Sequence, residues 1–133
     1  MKNSSFNTLP VYQKSLVLKD LSTAIANYFS YDSDFFTANR KSGLRADIAK
    51  ALCIDASLIS STIEKATSSK STTTRSKNIV FINIMTRNIL SYCNGLENDG
   101  VKEKEYINLL RKEIKTFKSY FKQWRKSLHS GDE

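Results

Sequence analysis

The sequence predicts an all-α protein, an up-down-up-down bundle of four helices. Punctuation is scarce, with 4 Gly and 1 Pro among 133 residues, too few for the many tight turns of an all-β fold. Apolar residues recur at steps of three and four in four successive stretches, the period of amphipathic helices. Short polar links separate those stretches, as in an antiparallel bundle. A chain of this length makes one domain with a real core, although a slender bundle gains from oligomerising. The expected organisation is a polar N-terminal arm over residues 1–8, a bundle over 9–128 and a tail over 129–133.

The first helix is expected to open at Thr8 as N-cap, with Pro10 in the first turn, where a missing N–H costs nothing. Its apolar positions are Val11, Leu18, Leu21, Ile25, Tyr28 and Phe29, and it is expected to end near Tyr28. Tyr31 to Asp34 then read as a turn, Phe35 and Phe36 as anchors of a connector, and Arg40 to Gly43 as a loop or frayed helix start. The second helix runs from Leu44 to Ala66. Leu44, Ile48, Leu52, Ile59 and Ile63 share one face, and Ala51, Ala56 and Ala66 permit close approach. The hydroxyl-rich stretch Thr67 to Thr74 suits a loop and the next N-cap.

The third helix starts near Thr73. Residues 78–85 are β-branched enough to pass for a strand. The apolar pattern nevertheless continues through Ile89, Leu90, Tyr92, Cys93 and Leu96, too far for a strand. Apolar residues nearly all round its first half imply burial on two sides, as in a bundle that also oligomerises. Asn94-Gly95 reads as its C-terminal stop, and Asn98-Asp99-Gly100 as a turn. The fourth helix, Val101 to Leu128, carries Ile107, Leu110, Ile114, Phe117, Phe121, Trp124 and Leu128. That is an unbroken heptad seam of alternating three- and four-residue steps.

Charge is the most informative feature. The chain holds 21 Lys+Arg against 13 Asp+Glu, a formal net charge of +8, which favours polyanionic partners: nucleic acid, an anionic membrane surface or an acidic protein. On the fourth helix Arg111, Lys115, Lys118, Lys122 and Arg125 form one stripe beside the seam. From Lys102 to Leu128 nine basic residues face three acidic ones, a net of +6. From Lys65 to Leu96 no Asp or Glu occurs, whereas Lys65, Lys70, Arg75, Lys77 and Arg87 do. Hydroxyls, Lys and Arg are common phosphate contacts. A face that serves solubility alone would mix signs to form i,i+4 pairs. The two basic groups are therefore the candidate nucleic-acid-binding residues. With no base-reading motif present, contact is expected mainly to phosphates and shape. Tyr106, Phe117, Tyr120, Phe121 and Trp124 fall on or beside the seam and read as core packing rather than base-stacking groups.

Catalytic patterns are wanting. The single histidine, His129, cannot form a His-ligated metal site alone, and there is no glycine-rich phosphate loop. Small helical ribonucleases of the HEPN type place an arginine and a histidine four to six residues apart on the last helix, whereas three residues separate Arg125 from His129. The expectation is a non-enzyme without cofactor or metal. Cys53 and Cys93 sit in apolar helical contexts and read as buried thiols. The first eight residues lack a signal-peptide pattern, and no apolar run approaches a membrane span. A cytoplasmic protein that does not engage a membrane is expected.

The layout resembles a four-helix-bundle family that includes the accessory variability determinant proteins of diversity-generating retroelements and the proteins encoded in bacterial 23S rRNA intervening sequences. The likeness runs from about Leu9 to Leu128. It is carried by a first helix ending in Tyr28-Phe29, the second helix Leu44 to Ala66, the link Lys70-Ser-Thr-Thr-Thr-Arg75, the third helix Ile79 to Leu96, and the aromatic-then-basic close from Phe117 to Leu128. The intervening-sequence branch shows an Ile-Ala-Glu-Gly stretch after its second helix. Ser60 to Ala66 reads otherwise here, so the accessory branch is favoured. The resemblance implies a barrel-like homopentamer with a positive surface. It also implies binding to the retroelement reverse transcriptase and its template RNA, and to DNA or an RNA–DNA hybrid, in support of mutagenic retrohoming. It transfers no catalytic or ligand residue. Three other readings remain: a protein–protein scaffold for an acidic partner, an intervening-sequence-type protein and, least favoured, a HEPN-like ribonuclease.

Overall fold

A computed structural model describes residues 6–36 and 40–131, with side chains over 6–29 and 43–128. It is all-α: α1 spans Pro10–Phe36, α2 Arg40–Ser68, α3 Thr72–Asn98 and α4 Lys104–Gly131. Each helix packs on its neighbours in a ring, α1 on α2, α2 on α3, α3 on α4 and α4 on α1, the arrangement of an up-down bundle. The α1–α2 and α2–α3 pairs are packed most closely, and α4 stands further off.

Every helix buries a heptad-spaced row. In α1 the row is Val11, Ser15, Leu18, Ser22, Ile25 and Phe29, so two serines occupy positions that an apolar count passes over. In α2 it is Ala49, Leu52, Ala56, Ile59, Ile63 and Ala66. The small residues of these two rows let the α1 and α2 backbones approach closely, which accounts for their tight pairing. α3 buries Ile82, Thr86, Ile89, Cys93 and Leu96, and α4 buries Ile107, Leu110, Ile114, Phe117, Phe121 and Trp124. A fully buried Leu, Ile or Phe contributes about 1.5–3 kcal/mol. Truncation of Phe29 or Phe117 to Ala would cost about 3–5 kcal/mol.

Polar pins join the helices. Tyr12 Oη donates to Glu64 Oε2 at 2.7 Å between α1 and α2. Asp55, buried on α2, accepts from Tyr92 Oη at 2.6 Å and from Asn88 Nδ2 at 3.3 Å on α3. Arg45 Nε meets Asp99 Oδ2 at 2.8 Å, and the same guanidinium donates to the Asp99 carbonyl. This bond ties the first third of α2 to the α3–α4 turn.

Several boundaries differ from expectation. The Leu9 carbonyl accepts from Gln13 N–H, so Leu9, not Thr8, precedes the helix, and Pro10 is its first residue. α1 continues to Phe36, through the stretch expected to turn. The side chains of Tyr31 to Asp34, Phe35, Phe36 and residues 40–42 lie outside the described ones. α2 is already helical at Arg40, and Leu44 is exposed rather than on the core face. α3 runs past Asn94-Gly95 to Asn98. Gly95 is helical here and packs closely on α2: a Cβ at this position would stand 3.0 Å from Ile48 Cδ1, the outer end of that side chain. The left-handed residue that ends the segment is Gly100, φ +86°. Val101 lies buried in the turn, and α4 begins at Lys104.

Candidate nucleic-acid interface

The heptad seam of α4 fixes where its stripe points. With Ile107, Ile114, Phe117, Phe121 and Trp124 turned inward, residues one step round the helix lie along one edge of that seam. This edge faces α3. Arg111 donates to Asn94 Oδ1 at 2.7 Å and to Glu97 Oε1 at 2.6 Å, both on α3, and to Asn108 Oδ1 at 3.1 Å. Further along, Lys115 and Lys118 border a cleft with Leu90 of α3.

These contacts set the register of two antiparallel neighbours. Asn94 stands opposite Arg111, and Leu90 stands opposite Ile114. One turn toward the N-terminus of α3 matches one turn toward the C-terminus of α4. Arg87, two turns before Asn94, is therefore near the level of Lys118, two turns after Arg111. The acid-free part of α3 and the basic part of α4 run side by side in one chain.

The ten candidate residues do not share one environment. Lys115, Lys118 and Lys122 are exposed and make no ion pair among the described residues. Arg111 is half-buried and engaged by Glu97, so much of its charge is already answered. That guanidinium, by hydrogen bond and by charge, holds the Glu97 carboxyl below the usual glutamate range. Arg125 is half-buried, its guanidinium carbon 5.4 Å from the Phe121 ring centroid, a cation–π geometry. Lys77 and Arg87 are exposed on α3, and Arg75 is half-buried in its first turn. Lys70 is exposed in the link before α3. Lys65 is exposed on α2, which stands across the core from α4, so it lies away from the stripe.

Sequence reading missed the cleft itself. It lies between α3 and α4, holds about 470 Å³, and has Leu90 and Ile114 at its base with Arg111, Lys112, Lys115 and Lys118 around it. The heptad seam signalled Ile114 as core but carried no sign that α4 stands away from α3 there. A second, apolar groove of about 280 Å³ lies between α1 and α4, bordered by Leu21, Ala24, Tyr28, Tyr106 and Leu109. Tyr28 and Tyr106 meet edge to face at 5.3 Å, and Tyr28 Oη donates to Glu103 Oε2.

Cys93 is fully buried, and burial pushes its thiol up to about 11, with Arg111 opposing the shift. Cys53 is half-buried, its sulfur 3.6 Å from Thr23 Oγ1. Both are free thiols. The His129 side chain lies outside the described ones, so its relation to Arg125 is not part of the geometry. Among the described residues no three His, Cys, Asp or Glu side chains gather as metal ligands, and no helix is long and apolar enough to cross a membrane.

Compared with protein-family models, curated proteins and solved structures, the chain matches none.

Proposed function

We propose that this protein is a non-catalytic accessory factor that binds nucleic acid through its α3–α4 surface, holding template RNA, cDNA or their hybrid for the reverse transcriptase of a diversity-generating retroelement. One observation carries the nucleic-acid reading: the exposed lysines of α4 lie beside an α3 segment that contributes Lys77 and Arg87 and no acid before Glu97. A surface of one sign along neighbouring helices attracts a polyanion and releases its condensed counterions on binding. The retroelement role rests on the resemblance set out above, with which the four-helix bundle accords. Assembly into a homopentamer rests on the same resemblance. A second feature favours self-association: Val80, Phe81 and Ile84 of α3 are 59%, 36% and 39% exposed, more apolar surface than a solvated helix face needs.

The test is charge reversal. The triple variant Lys115→Glu, Lys118→Glu, Lys122→Glu is expected to lose RNA binding in gel shifts at physiological salt while keeping its helical circular dichroism. Unchanged RNA affinity overturns the assignment to this surface. Retention of an acidic protein partner, with no affinity for RNA or DNA in the unaltered protein, would favour the scaffold reading instead. Co-purification with a reverse transcriptase encoded beside the gene tests the retroelement role.

A further inference from the structure

The basic surface is not uniform. Along its first half α3 and α4 part, leaving the cleft of about 470 Å³, within the range of about 300–1,000 Å³ typical of small-ligand sites. Its base is apolar, with Ile114 buried and Leu90 half-buried, and cationic side chains stand on its α4 side. Arg111 is held in place by Glu97 and Asn94, whereas Lys112, Lys115 and Lys118 are exposed and make no ion pair among the described residues.

Phosphates alone need the lysines and gain nothing from an apolar base. A duplex keeps its bases stacked inside and presents only its backbone to such a surface. An unpaired strand offers both partners at once: phosphates for the lysines and flat, weakly polar base faces for the cleft. Resting on the nucleic-acid reading above, we propose that the α3–α4 cleft takes the bases of an unpaired strand while Lys112, Lys115 and Lys118 hold the flanking phosphates. An acidic amphipathic peptide carries a similar pairing of charge and apolar groups. The strand is favoured because the positive stripe runs on beyond the cleft to Lys122 and Arg125 of α4, a track suited to a continuous polyanion rather than to a single anchored segment.

The experiment compares two strands of equal phosphate number by fluorescence anisotropy with the full chain, at roughly 0.15 M salt. One is oligo(dT) of about 20 nucleotides, longer than a typical single-strand site. The other is an abasic strand of the same length. Oligo(dT) is expected to bind about tenfold more tightly, as burial of roughly 60 Å² of apolar base face against Leu90 and Ile114 would give. Leu90→Gln replaces the apolar base of the cleft with a polar amide without altering a charge and is expected to bring the two affinities together. Should that variant not fold, the comparison with unaltered protein decides alone. Equal binding of both strands overturns the base-insertion proposal and leaves phosphate binding standing. Binding of neither strand overturns base insertion, and with no RNA binding in the gel shift above it overturns the nucleic-acid reading too. An acidic amphipathic helical peptide that displaces oligo(dT) and binds more tightly than it does also overturns the proposal.

Discussion

Tyr92 shows how one hydroxyl links two helices and a titration. It donates to the buried carboxylate of Asp55 at 2.6 Å, and burial together with that carboxylate raises its phenol from 10.0 to about 12. Tyr92→Phe removes one of the two side-chain donors to Asp55 and is expected to cost about 1–2 kcal/mol in urea unfolding. The sign of the pH effect follows from linkage. The folded phenol keeps its proton to higher pH than the unfolded one, so its stabilisation is complete below about pH 10 and is lost as pH rises through about 12. Cys93 acts in the same direction, its thiol shifted from 9.0 to about 11. Thermal melts should therefore weaken above about pH 9, and the Tyr92→Phe variant should show a shallower decline. Ser22 makes the opposite point. Its hydroxyl is fully buried and has no hydrogen-bond partner among the described residues, so it carries a desolvation cost without a return. Ser22→Ala is expected to raise stability by about 1 kcal/mol, read as a shift of the urea midpoint at unchanged slope.

At the scale of the element, α3 is the informative helix. Its β-branched residues disfavour a helix in isolation, yet it is long, capped and packed against two neighbours. Ser71 is its N-cap: its side chain accepts from Thr74 N–H at 3.2 Å, with extended backbone at φ −89° and ψ 122°. Ser71→Ala is expected to cost about 1 kcal/mol, visible as a lower melting temperature with the folded spectrum unchanged. The opposite end shows how contacts override local signals. Asn94-Gly95 has the composition of a helix stop, but Gly95 packs tightly on α2, where a Cβ would stand 3.0 Å from Ile48 Cδ1. Glycine there serves close packing, and the helix proceeds for another turn.

For the whole molecule, charge and apolar surface are segregated. The α3–α4 edge is cationic, while Glu103 stands just before α4, and Glu105 and Glu113 in its N-terminal half, with Tyr28 and Tyr106 near Glu103. If phosphate contacts dominate, the logarithm of affinity falls linearly with that of salt, by about 0.7 per phosphate contact for a single strand. Neutralising Lys115 alone should reduce that slope by about the same amount. The exposed α3 patch bears on assembly. The pair Val80→Glu and Ile84→Glu should lower the mass found by light scattering while leaving helix content intact. An unchanged mass would place the subunit contacts elsewhere.

Much of this was legible in the sequence. The steps of Ile107, Leu110, Ile114, Phe117, Phe121 and Trp124 are a property of the helix itself, so the seam and the adjoining stripe follow from spacing alone. The count and order of the helices follow from the same periodicity. What spacing cannot reach is the relation between elements. Ser15 and Ser22 are core residues because they fall on the row that α1 turns inward, and no apolar count finds them. Arg111 and Lys115 look alike in the stripe, but Glu97 on another helix engages one and leaves the other in solvent. The cleft at Leu90 exists because α4 stands away from α3, a distance set by side chains on both helices at once. The sequence by itself determined four amphipathic helices and the positive face of the last. Only tertiary packing decided that this face lies along the acid-free part of α3, because antiparallel register is a property of a pair of helices and is encoded in neither alone.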